Sequence, residues 1–132
     1  MIGLDTNILI RYLTQDDPVQ SPKATTLIEK RLTEDNPGFV SIVTMIEIVW
    51  VLDRSYSLTH HEIAADIELI LRTDTLVVEH ELEIYSAMTT LGEGSGRFAD
   101  SLVASLGLKA GCSYTLTFDR KASQLSGFEL LR

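Results

Sequence analysis

Met1-Ile-Gly-Leu-Asp5-Thr-Asn-Ile-Leu-Ile10 opens the chain with a short apolar run, one acid at its end, and two side chains able to cap a helix ahead of a second apolar run. That order predicts a strand over Met1 to Leu4, with Asp5 at its carboxyl end, followed by a helix. The alternation continues outward from this unit. Asp17-Pro18 or Ser21-Pro22 marks a second helix start, and Ala24, Leu27, Ile28 and Leu32 then recur at helical spacing. Asn36-Pro37-Gly38 signals a turn before a strand at Phe39-Val40-Ser41 and an apolar helix from Ile42 to Leu52. Thr59-His-His-Glu62 has the form of a capping box. Beyond it, strands are expected at Thr75 to Val78, Tyr114 to Thr117 and Glu129 to Leu131, and helices at Leu82 to Leu91 and Phe98 to Lys109, with Gly92 to Gly96 a loop and Gly111 a helix stop. Short apolar strands alternating with helices give an α/β class, expected as a three-layer α/β/α domain around a central parallel twisted sheet.

The 132 residues fit a single domain spanning 1–132, with no repeat or linker to divide it. Eleven Lys plus Arg against nineteen Asp plus Glu leave a net charge of −8, which disfavours nucleic-acid binding through a broad basic surface. The single cysteine, Cys112, cannot form an internal disulfide and reads as a packing residue in a reducing, cytoplasmic setting. No secretory signal and no membrane span is expected.

Four acids stand apart from other charges. Asp5 is alone from Met1 to Ile10, Glu47 from Pro37 to Leu52, Asp100 from Phe98 to Leu108, and Asp119 follows an uncharged stretch from Ala110 to Phe118. Isolated carboxylates in apolar sequence need compensation if buried. Asp5 and Asp119 fall at carboxyl ends of expected strands, where open α/β sheets place ligands, and Asp100 falls in the first turn of its helix. Convergence of the four would require shared protons or a hard cation, Mg²⁺ or Mn²⁺. The structural alternative is that Asp5 or Asp119 caps the helix after it and Glu47 pairs with an arginine.

Asp5-Thr-Asn-Ile-Leu-Ile-Arg-Tyr-Leu13, Ser41-Ile-Val-Thr-Met-Ile-Glu47 with Val49-Trp-Val-Leu52, Phe98-Ala-Asp100-Ser-Leu-Val-Ala104 and Thr115-Leu-Thr-Phe-Asp119-Arg-Lys121 together resemble the PIN-domain nucleases. The nearest likeness is to the VapC toxins of bacterial toxin–antitoxin pairs, and it runs nearly the whole chain. The resemblance implies a metal-dependent endoribonuclease in which Mg²⁺ or Mn²⁺ activates water against an RNA phosphodiester. It assigns Asp5, Glu47, Asp100 and Asp119 as catalytic metal ligands and Asn7 and Thr117 as supporting polar residues. It also implies a cognate VapB-like antitoxin lying over the acidic site, and a homodimer. One departure stands out: many relatives carry an acid where this chain has Arg97. Arg97 and Arg120 become candidate phosphate contacts, with Arg11 and Lys121 as further steering cations.

Other features are expected to be structural. His60 and His61 are adjacent and diverge on a helix, Gly92 to Gly96 lacks a phosphate-loop ending, and Trp50 is expected in the core or a dimer interface. Competing functions are a catalytically inactive PIN fold or a receiver-like acidic module that binds a protein partner. Asp16-Asp17 lie too far beyond Asp5 for a receiver, and Asn7 removes the Asp-x-Asp of a dehalogenase-type hydrolase.

Overall fold

The computed structural model describes residues 1–94 and 97–132. The Gly92 to Gly96 loop expectation lies partly outside these residues, at Ser95 and Gly96. The domain is a three-layer α/β/α arrangement with parallel strands at its centre, and those strands fall into two groups. β1 (Ile2–Gly3), β2 (Gly38–Val40) and β3 (Leu76–Val78) pair in that order, with Gly3 opposite Phe39 and Phe39 opposite Val77. β4 (Thr115–Thr117) and β5 (Phe128–Leu130) form a separate pair, Thr117 opposite Leu130.

Helices form where the sequence supplies caps and apolar periodicity. α1 (Thr6–Thr14) starts at Asp5, whose carboxylate accepts from the Thr6 N–H at 2.8 Å. At its other end Asp16 accepts from the Tyr56 hydroxyl at 2.6 Å, the Thr14 hydroxyl at 2.7 Å and the Arg11 guanidinium at 3.1 Å. The Tyr56 and Thr14 hydroxyls, more than Arg11, hold the Asp16 carboxyl down at about 2. α2 (Gln20–Thr26) is capped from Asp17, which accepts from the N–H groups of Val19 and Gln20 at 2.9 and 2.7 Å. It runs on into a π-helical turn at Leu27–Arg31, closed by the Leu32 N–H on the Leu27 carbonyl at 2.9 Å.

α3 (Ile42–Arg54) begins at Ser41, and α4 (His60–Arg72) opens with the full Thr59/Glu62 capping box. α5 (Glu81–Gly92) and α6 (Phe98–Lys109) complete the helices, and Gly111 takes a φ of 104°, open to glycine and costly for a side chain. α3 packs against α1, α4 and α6, and α5 lies between α4 and α6. Ile48 and Leu52 of α3, Ile63 and Ile67 of α4, and Ile84 of α5 are fully buried in the resulting core. None of the described helices is long and apolar enough to cross a membrane.

Two expectations about packing change. Trp50 is 58% exposed, its ring 5.6 Å from the Arg54 guanidinium carbon, which removes the core placement and leaves a dimer interface as its expected setting. Cys112 is an exposed thiol in place of a packing residue. In both cases local apolarity says nothing about which side of an element faces the interior, because that depends on the neighbours it packs against.

Candidate functional site

The four isolated acids do not share one environment. Asp5 is exposed after β1, and its carboxylate is used as the cap of α1. Glu47 is exposed on α3 and makes no hydrogen bond or ion pair among the described residues, so the expected arginine partner is absent too. Asp119 follows β4 and accepts from the N–H groups of Lys121 and Ala122 at 2.8 and 3.2 Å, capping the short 3₁₀ turn Ala122–Gln124. Its own N–H donates to the Thr117 hydroxyl at 3.0 Å. Asn7 is exposed on the first turn of α1, and Arg120 is exposed beside Arg132 at the edge of the β4–β5 pair.

Only Asp100 and Asp119 are joined, and a cation of the chain itself joins them. The Arg97 guanidinium, largely sheltered, donates to Asp100 at 2.5 Å and to Asp119 at 3.1 Å. This contact ties the start of α6 to the segment after β4. Arg97 first, and the N–H groups of Ala122 and Lys121 after it, hold the Asp119 carboxyl below its ordinary value. The two acids in turn raise the Arg97 pKa.

Replacing Arg97 by methionine should therefore bring the Asp119 titration, followed by NMR, up toward 3.8, with part of the depression surviving through the backbone N–H bonds. A carboxyl whose folded value is depressed stabilises the fold fully above its unfolded value, and that stability is lost as pH falls through the folded value. The acid-side loss of stability below 3.8 should accordingly shrink in the variant. An unchanged Asp119 titration would remove Arg97 from this role.

These positions correct the expectation of a Mg²⁺ or Mn²⁺ centre. Among the described residues, no group of three or more His, Cys, Asp or Glu side chains could hold a metal ion. The donor set does not fit a divalent cation, since Asp100 and Asp119 already share a guanidinium and Asp5 and Glu47 stand apart from them. Asp5, Glu47, Asp100 and Asp119 are thus not a metal cluster, and the metal-activated endoribonuclease reading and its cofactor fall with it. Asp5 follows a strand of one hydrogen-bonded group and Asp119 a strand of the other.

A feature missed at the sequence level is a cleft of about 460 Å³ between α1 and α2, lined by Arg11, Lys23 and Arg31. The available signal was the four-residue spacing of Lys23, Leu27 and Arg31, which places a cation, an apolar residue and a cation on one helical stripe. Only the apolar member of that stripe is visible to a search for core positions.

The family model of the PIN domain matches residues 2–127. No curated protein and no solved structure matches the chain. The matched span covers β1 to β4 and the six described α-helices, and the chain belongs to the PIN-domain family.

Proposed function

We propose that the chain is a PIN-fold module that acts by binding a protein partner, without metal-activated hydrolysis of a phosphodiester. The observation that carries this reading is the Arg97 guanidinium set between Asp100 and Asp119, with Asp5 and Glu47 outside that contact. A cation covalently part of the chain neutralises the acids it touches and offers no open coordination position for water. What remains is a folded scaffold with exposed charge and apolar side chains suited to recognition. The likeness of the four sequence motifs to VapC proteins supports an antitoxin-like protein as the partner.

Three measurements test this. Calorimetric titration of the chain with MnCl₂ should show no saturable binding, and RNA should be left intact equally by the wild type and Asp5→Asn. Isolated from its own cells after ribonuclease treatment, the chain should carry a stoichiometric protein. Manganese-dependent RNA cleavage that disappears in Asp5→Asn would overturn the reading.

A further inference from the structure

Among the described residues the two strand groups leave four outer edges, and two of these are guarded by charge. Glu81 and Glu83 share a surface with β3, and Arg120 and Arg132 share one with β5. The outer edges of β1 and β4 differ, since no charged side chain occurs from Met1 to Leu4 or, past Lys109, from Ala110 to Phe118. Natural sheets blunt a free edge with charge, so an apolar edge without it is suited to pairing.

Both edges offer the backbone groups that pairing needs. In β1 the N–H groups of Ile2 and Leu4 donate to the carbonyls of Pro37 and Phe39 at 2.9 Å each, so by alternation Gly3 and Asp5 turn theirs to the open side. In β4 the Thr115 N–H donates to the Gly127 carbonyl at 2.7 Å, and the Thr117 carbonyl accepts from the Leu131 N–H at 2.8 Å. The N–H groups of Leu116 and Phe118 therefore point away from β5. Apolar side chains stand beside these groups in the open: Ile2 is 44% exposed, Leu116 53% and Phe118 80%. Within the chain, β1 and β4 do not pair with each other.

The packing of α6 keeps β4 where it is. A Cβ on Gly107 of α6 would stand 2.8 Å from the Thr115 hydroxyl, and one on Gly127 would stand 3.2 Å from the Ala104 Cβ, so β4, β5 and α6 form one closely packed block. Arg97 fastens the same block through Asp119, and α6 packs against α5 and α3. Swinging the block onto β1 in its own chain would break that helix packing. A second copy reaches both edges with the helices in place.

We propose that two copies of this chain pair edge to edge, β4 of each lying parallel beside β1 of the other, so that each β1–β2–β3 sheet is extended by the other copy's β4–β5. Parallel is the direction of every strand pair in the domain. Two identical pairings related by a twofold axis close the assembly and leave neither apolar edge in water. A second copy is the occupant because each edge finds its complement, uncharged and with outward donors two residues apart, on the same sequence. This assembly does not rest on the partner-binding reading above.

Charges placed on the two edges of the full chain test the assignment. Sedimentation velocity should show a dimer for the wild type. Ile2→Glu and Leu116→Lys, both at exposed positions, should each weaken it by about tenfold or more, since a charge is then enclosed between apolar edges. Mixed together, the two variants should form a dimer again, identified as the mixed species by native mass spectrometry. Only the mixed dimer has one wild-type pairing and one in which opposite charges meet. Restoration is a gain, so misfolding cannot imitate it. Phe118→Lys should weaken the dimer as Leu116→Lys does and recover it with Ile2→Glu, while Trp50→Glu on α3 should leave it intact.

A monomeric wild type, edge variants as dimeric as the wild type, or a mixture without the mixed dimer would overturn the proposal. So would a dimer lost in Trp50→Glu and kept in the edge variants, which would put the interface on α3.

Discussion

Ile48→Ala will destabilise the fold by about 2–5 kcal/mol, the cost of deleting most of a buried aliphatic side chain and leaving a cavity. Ile48 has no exposed surface, and it sits on α3, the helix that packs against α1, α4 and α6. A void there cannot be closed by moving one neighbour, because several elements meet at that helix. For a chain of this length, roughly 3 °C in melting temperature per kcal/mol gives a fall of roughly 6–15 °C. Val43→Ala on the same helix serves as the control. Val43 is 62% exposed, so its truncation should stay within about 0.5 kcal/mol. Thermal unfolding of both variants checks this, and similar losses at the two positions would contradict the packing of α3.

The second large effect is expected at Gly38→Ala, at the start of β2. A Cβ there would stand 2.7 Å from Leu4 Cδ1 and 2.9 Å from Leu32 Cδ1, closer than real side chains approach. Both leucines are flexible at their ends, but both are buried, at 7% and 3% exposure, so neither can swing into solvent. Overpacking of this kind costs about 1–3 kcal/mol, against an offset of about 0.4–1 kcal/mol from a stiffer unfolded chain. The net sign is destabilising, measured as a lower midpoint in urea. Adding Leu4→Val should recover part of the loss, since it removes the closest atom and the two sites are directly coupled. A double variant no better than Gly38→Ala would place the strain elsewhere, for instance on the Gly38 N–H, which donates to the Thr75 carbonyl at 2.8 Å.

Much of the fold is legible in the sequence because its signals are local. The Thr59-x-x-Glu62 box reads directly as the start of α4, because both hydrogen bonds close within one turn. Gly111 ends α6 and Asp17 caps α2 for similarly short-range reasons. The structural alternative for two of the acids was legible too, since Asp5 directly precedes the helix it caps and Asp119 lies three residues ahead of the start of its 3₁₀ turn. Apolar sequence surroundings did not bury Glu47, nor did they place Trp50 in the core. Apolar neighbours along a helix do not fix which of its faces is buried, and both residues are exposed on α3.

The acidic site was not legible in full, because it depends on which strands pair. From the order of strands and helices one expects a parallel α/β sheet, and the chain has parallel strands throughout. Separation of β4–β5 from β1–β2–β3 is a property of tertiary packing, and it keeps the ends of β1 and β4 in different sheets. The Arg97 contact with Asp119 spans 22 residues, beyond the reach of any local pattern. The cleft is similar, since Arg11 comes from one helix and Lys23 and Arg31 from the next segment.

By itself, then, the sequence determined the α/β class, the caps and the PIN motifs, all of which follow from hydrogen bonds and periodicities a few residues long. Only the tertiary structure decided that the four acids form no metal-holding group, that Arg97 neutralises two of them, and that three cations line one cleft. Those outcomes depend on the relative placement of whole elements, which charge and spacing along a chain do not specify.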